Sequence, residues 1–260
     1  MALIAMAVYD LDGSGRTELT KQTLECITDT VDLSKHRLFI INNRSCMATR
    51  DVLSHYEHTA GISIIHNTTN VGTANAINQA WKQREDGEFL IKIDNDVVIH
   101  YDGWVDELQS AMEVGRRLDE PIGILGLKRK DLIESPYTNG YYQSKLIQLP
   151  HNPGERWYNI EVCNHVMGTC QMYLPELIDA IGGLYQMDGV YGFDDSLAAI
   201  RCQLAGFQNA FLNYIDIDHI DKGGNDYQDW KEGYVQSMFE QYEKVKYQMV
   251  TGQRPIHIAL

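Results

Sequence analysis

Phe89-Leu90-Ile91-Lys92-Ile93-Asp94-Asn95-Asp96 has the length and character of a buried strand, and it ends abruptly in two carboxylates. Without the acids at its centre, the segment from Glu88 to Ile99 would run on as one continuous β segment. Unpaired carboxylates at the end of a core strand are costly, so they want a cation or a set of donors. A hard divalent cation, Mg²⁺ or Mn²⁺, takes oxygen ligands from Asp-x-Asp and keeps open positions for phosphate oxygens. Asp-Asn-Asp is also ordinary turn chemistry. A plain surface turn, however, would more commonly carry Gly or Pro, and this one has neither.

The preceding chain repeats a strand and helix pattern. Leu3 to Tyr9 reads as a first buried strand, followed by the polar turn Asp10-Leu11-Asp12-Gly13-Ser14-Gly15-Arg16. That turn imitates the start of a calcium loop, but its twelfth position is Lys21 where a bidentate Glu is required. Thr17 to Thr30 has helical spacing, and Arg37 to Ile41 is a second strand running into Asn42-Asn43-Arg44-Ser45. Ligands of open α/β sheets bind at the carboxyl edge of the strands, which places Asn42, Asn43 and Ser45 to meet a base or ribose. As an Asn-rich turn, the same residues would only be solvated.

Val52 to His58 reads as a helix and Ile62 to His66 as a third strand; Asn70 to Asn78 then opens a third helix. Asn70 caps its amides, Gly72 and Ala74 keep its start slim for a ligand, and Asn75 and Asn78 share a face. After Asp96 a helix begins near Tyr101, with Trp104, Val105, Leu108 and Met112 inward. The first hundred residues thus form a nucleotide-binding α/β half.

Beyond Pro121 one strand, Ile122 to Leu127, leads into Asp131 to Arg156, a loop or hairpin excursion expected near an acceptor. Its Tyr137, Tyr141 and Tyr142, with Trp157 and Tyr158, are candidates to stack on a ligand or to pack over the core. Trp157 to Tyr173 supplies one or two strands, with Gly168-Thr169 a slim point of approach, and Pro175 starts a short helix. Asp194-Asp195 opens a longer helix, where acids suit the dipole and where one of them can serve as a base. A strand from Phe207 leads to Asp216-Ile217-Asp218-His219, whose histidine is a candidate metal ligand. Tyr227 to Val250 reads as an amphipathic helix with no chemistry in it.

Composition narrows the class. The chain has 260 residues, enough for one large α/β domain, and a formal charge of −14, which gives no footprint for a polyanion. Five cysteines, widely spaced and without a Cys-x-x-Cys pair, read as reduced thiols of a cytoplasmic protein. The opening ten residues lack a basic n-region, and no apolar run approaches the roughly 20 residues needed to span a bilayer.

In this order, Tyr9-Asp10, Asn42-Asn43-x-Ser45, Asn70-x-Gly72-x-Ala74-x-x-x-Asn78, Asp94-x-Asp96, Gly168-Thr169 and Asp194-Asp195 with Arg201 and Gly206-Phe207 resemble an inverting family-2 glycosyltransferase over most of Leu3 to His219. The resemblance implies the GT-A fold, an α/β, Rossmann-related mixed sheet flanked by helices. A single catalytic domain would span 1–226, with a nucleotide-sugar half at 1–100, an acceptor half at 101–226 and a helical extension at 227–260. It implies that Asp94 contacts ribose or sugar, that Asp96 with His219 and Asp94 holds Mn²⁺ or Mg²⁺, and that Asp195, beside Asp194, is the base. Tyr9, Asp10, Asn42, Asn43, Ser45, Asn70, Gly72, Asn75, Asn95 and Gly168 would line the donor. The donor would be a nucleoside-diphosphate sugar, UDP-sugar favoured, and the acceptor a hydroxyl of a glycan, lipid-linked saccharide, protein or modified nucleobase.

Two departures bear on this. Asn42-Asn43 stands where many members have Asp-Asp, which leaves the base open, and Asp194 stands where Glu is commoner. A sugar nucleotidyltransferase is the rival reading, with Gly13-Ser14-Gly15-Arg16-Thr17 as a phosphate loop, but that loop lacks the leading glycine pair. A non-catalytic sugar-binding module is the third, and intact Asp96 and Asp195 argue against it.

Overall fold

A computed structural model describes residues 1–132, 145–150, 157–223 and 226–260. Four strands run parallel: β1 (Ala2–Val8), β2 (Arg37–Asn42), β3 (Ile62–His66) and β4 (Phe89–Ile93), in the order β3-β2-β1-β4. Their near-continuous apolar sequences follow from burial on both faces; every residue of β4 is buried. The helices between them are α1 (Arg16–Thr30), α2 (Met47–Ser54) and α3 (Thr73–Trp81). Helix α2 lies upstream of the Val52 to His58 expected from the sequence, because Thr49 and Leu53 are its buried face.

The acids do break the Glu88 to Ile99 segment. A two-residue strand, β5 (Val97–Val98), follows them and pairs antiparallel with the end of a later strand. Helix α4 (Trp104–Arg117) buries Trp104, Leu108, Ala111 and Met112 at helical spacing, with acids in its first turn and arginines in its last.

Beyond β4 the sheet is mixed. β6 (Ile122–Arg129), β7 (Lys145–Pro150), β8 (Trp157–Cys163), β9 (Cys170–Tyr173) and β10 (Gln208–His219) extend it in the order β4-β9-β6-β10-β8-β7. β9 runs antiparallel to both β4 and β6, β10 runs parallel to β6, and β7 and β8 form an antiparallel hairpin. Tyr137, Tyr141 and Tyr142 lie outside the described residues. Tyr158 is fully buried and hydrogen-bonded to Ser110 at 2.8 Å, so it packs and does not stack on a ligand.

Helices α5 (Pro175–Ile181), α6 (Asp194–Leu204) and α7 (Asp226–Val250) complete the chain. Arg201 of α6 is wholly buried and donates to the carbonyls of Ile181, Gly183 and Ile256, tying the end of α5 to the C-terminal segment. Helix α7 docks on α6 through Leu197, Val245 and Met249, and Phe193 stacks on Tyr242 with ring centroids 4.3 Å apart. Among the described residues no helix is long and apolar enough to cross a membrane.

Candidate active site

The register of the sheet brings the ends of β1, β2, β3 and β4 to one edge, since Val8 pairs with Asn42 and Asn42 with His66. A cleft of about 320 Å³ opens there. Its lining includes Tyr9, Asn43, Asn70, Asp94, Asn95 and Asp96 from the first half of the chain, and Gly168, Thr169, Asp194, Asp195 and His219 from the second. The two acid clusters that the sequence separates by about a hundred residues therefore face one space. A second cavity adjoins it, lined by Asn42, Ser45, His66 and Asn67 and sharing Tyr9 and Asn70 with the first.

Lys92 joins the clusters. It is the fourth of the five residues of β4 and is buried; Nζ donates to Asp94 Oδ1 at 3.0 Å and to the Gly168 carbonyl at 2.6 Å, and lies 3.8 Å from Asp194 Oδ2. Burial opposes the charge, but Asp94, Asp194 and Asp195 outweigh it and hold the ammonium protonated well above its ordinary range. Gly168 leaves room for this approach: a Cβ there would lie 2.6 Å from Nζ, so the ammonium would have to move.

Arg16 is the second buried cation. Its guanidinium donates to Asp221 at 2.5 Å, to Asp96 Oδ2 at 3.0 Å and to Asn95 Oδ1 at 3.2 Å. Asp96 also faces His219, whose Nε2 is 3.6 Å from Oδ2. Asp96 Oδ1 is buried with no hydrogen-bond partner among the described residues, as are Thr169 Oγ1 and Asp194 Oδ2. An orphaned carboxylate oxygen beside an imidazole fits a hard divalent cation. No cluster of three or more His, Cys, Asp or Glu side chains suited to a metal is present among the described residues. Asp96 and His219 would thus leave further positions to phosphate oxygens and water, the usual habit of Mg²⁺.

The acidic pair is split by its surroundings. Burial would raise Asp195, but His165, whose Nε2 is 3.3 Å away, together with Lys92 and the Ser196 amide, holds its carboxyl well below the carboxylate range. The Gly168 amide also donates to Asp195 Oδ2, at 3.0 Å. Asp194 moves the other way: burial raises it, Lys92 opposes, and Asp195 and Asp94 raise it further. Two neighbouring carboxyls driven apart in this way have the electrostatic split that acid/base chemistry requires.

Other expected donor residues do different work. Asp10 is fully buried and lines neither cavity; it accepts from Thr20 at 2.8 Å, Thr49 at 3.0 Å and Asn95 at 3.2 Å, which fixes the β1 turn. Gly72 and Asn75 also lie outside both linings. The slim start of α3 is filled from within the chain, since the Asn75 amide donates to Gln186 Oε1 at 3.1 Å and that side chain covers Gly72. Asn78 accepts from the Leu184 amide and donates to its carbonyl, which is structural.

Sequence reasoning missed Lys92, Arg16 and His165. It also missed Trp230, Lys231 and Val235 of α7, which line the cleft although that helix was expected to carry no chemistry. Only Lys92 left a signal, as the single charge inside an apolar strand.

A family model described as glycosyl transferase family 2 matches residues 16–157, more than half of the chain. No curated protein sequence shows significant similarity. Among solved structures, the mannosyltransferase PcManGT from Pyrobaculum calidifontis in complex with GDP-Man and Mn²⁺ is 14% identical, with a TM-score of 0.60 over 88% of this chain and 59% of that one. S. aureus TarS in complex with UDP-GlcNAc is 15% identical, with a TM-score of 0.56 over 88% and 63%. GalNAc-T7 with UDP, GalNAc and Mn²⁺ is 13% identical, with a TM-score of 0.57 over 86% and 44%. The chain spans less than two thirds of the length of each, and the likeness is of fold, the GT-A architecture.

Two measurements check the electrostatics. Lys92→Met leaves Asp94 and Asp194 without their shared cation and is expected to lose about 3 kcal/mol of unfolding free energy in urea melts; a loss under about 1 kcal/mol would refute the bridge. For His165, burial lowers the pKa, but Asp195 and Asp194 raise it above the ordinary 6.5. Its contribution to stability is complete below that value and fades as pH rises through the raised one, while the contribution of Asp195 is present above 3.8 and is lost only in acid. The stability gap between wild type and His165→Gln should therefore be larger near about pH 5.5 than near about pH 8.5; equal gaps contradict the pairing.

Proposed function

The chain belongs to glycosyl transferase family 2, and from that premise we propose that it moves a sugar from a nucleoside-diphosphate sugar to an acceptor hydroxyl with inversion, using Mn²⁺ or Mg²⁺. The observation that carries the reading is the orphaned oxygen of Asp96 beside His219, in the same cleft as the split pair Asp194 and Asp195. Relatives of this fold have been solved with GDP-Man, UDP or UDP-GlcNAc, two of them with Mn²⁺.

Asp96 and His219 would hold the cation, which when bound neutralises charge building on the departing diphosphate. The base and ribose fit the second cavity at Asn42, Ser45 and Asn67, with uridine the first base to test, and Tyr9, Asn43 and Asn70 stand where it joins the cleft. Asp94, one oxygen bound by Lys92, turns a partly exposed carboxylate to the sugar. Asp195 takes the acceptor proton; its hydrogen bonds from Gly168 and Ser196 fix its direction. The acceptor oxygen then attacks the anomeric carbon on the face opposite the diphosphate. Asp194, with its raised pKa and the nearby Lys92, tunes Asp195.

Asp96→Ala should abolish Mn²⁺-dependent thermal stabilisation by nucleoside diphosphates. Asp195→Asn should keep it while transfer falls by about 10²- to 10⁴-fold. Wild-type protein stabilised by nucleoside triphosphates alone would favour the nucleotidyltransferase reading, and stabilisation by neither would sink the proposal.

A further inference from the structure

The first turns of α7 bring an aromatic wall to the cleft that holds Asp194 and Asp195. Trp230 is 41% exposed, whereas Trp81 and Trp104 are wholly buried. Its ring lies 6.3 Å from that of Tyr191 at 52°, and 5.3 Å from that of Tyr234. The wall is fixed in place: the Val190 amide donates to the Tyr234 hydroxyl at 2.9 Å, and the Phe193 and Tyr242 stack anchors the helix behind it. Lys231 Nζ stands 5.0 Å from the Tyr191 ring centroid, so a cation covers one face of that ring.

The geometry points to Trp230 and Tyr191 as the platform for a saccharide acceptor, stacking one pyranose ring so that its hydroxyl edge meets Asp195. This rests on the glycosyl-transfer reading and adds the acceptor class to it. A pyranose presents C–H groups on its face and hydroxyls at its edge, which matches an aromatic wall beside carboxylates. Two rings tilted at 52° make a corner, unlike the near-parallel slot that sandwiches a flat nucleobase. A nucleic-acid acceptor would also bring its phosphates to a protein of charge −14, into a cleft lined by Asp194 and Asp195 as well as by Trp230 and Tyr191. A rigid wall also spares the ordering cost of binding.

The four tryptophans allow a test that does not depend on turnover. With Trp157, 57% exposed, replaced in Trp157→Phe, the remaining exposed indole is that of Trp230. In the presence of UDP and Mn²⁺, neutral pyranose oligosaccharides should shift its emission to the blue. The shift should vanish in the Trp157→Phe, Trp230→Phe double variant, and adding Tyr191→Ala to Trp157→Phe should weaken saccharide binding by roughly tenfold. Calorimetry of UDP with Mn²⁺ separates the two readings. Normal UDP binding with no saccharide shift, or a shift only with an oligodeoxynucleotide carrying hydroxymethylated pyrimidines, overturns the saccharide platform and leaves the donor reading standing. Loss of UDP binding in the parent protein overturns both.

Discussion

A single ammonium group sets the distance across this cleft. Lys92 reaches from β4 to the carbonyl of Gly168 just ahead of β9, and its charge is shared by Asp94, which follows β4, and Asp194, which opens α6. Three carboxylates gathered around a buried point would repel one another and take up protons, and the lysine makes their ionisation tolerable. Its own desolvation is offset because the sheet and the start of α6 together hold its partners in place. The residue that shapes the site is thus a core residue of the strand, and the absence of a side chain at Gly168 is part of the same arrangement.

Arg16 does for the far end of the cleft what Lys92 does for its middle. By pairing with both Asp96 and Asp221 it draws the turn after β1 towards the segment that follows β10. Asp10 and Asn95 brace that turn from beneath, through Thr20 and Thr49. One oxygen of Asp96, beside His219, still has no hydrogen-bond partner among the described residues. Its buried acid is only partly compensated, and on the proposed reading that deficit would be met by a cation and the phosphates it carries.

Strands β1 to β4 were legible in the sequence because each is an apolar run closed by polar residues, and parallel order alone brings those ends to one edge. That Asp94, Asp96, Asp195 and His219 would line one cleft follows from the same pattern, each standing at the end of a strand or the start of a helix. The contacts of Lys92, Arg16 and His165 were not legible, since their partners are set by the antiparallel β4 and β9 pairing and by contacts between residues far apart in the chain; Lys92 stood out only as a charge inside an apolar strand. Asn75 and Gly72 misled because a slim helix start invites a ligand, and no local pattern reveals that Gln186 fills it. Helix α7 misled for a related reason: Trp230 looks like one more apolar position until the docking of α7 on α6 turns it into a wall.

Anomalous diffraction from crystals of the protein grown with Mn²⁺ and UDP is the most direct test of the central claim, that a cation at Asp96 and His219 presents the donor to Asp195 across a cleft spanned by Lys92. The account predicts one manganese peak bonded to Asp96 and His219, with the diphosphate on its open side and the Asp195 carboxylate on the opposite wall. A manganese peak remote from Asp96, or a nucleotide bound on a surface that does not face Asp195, would contradict it.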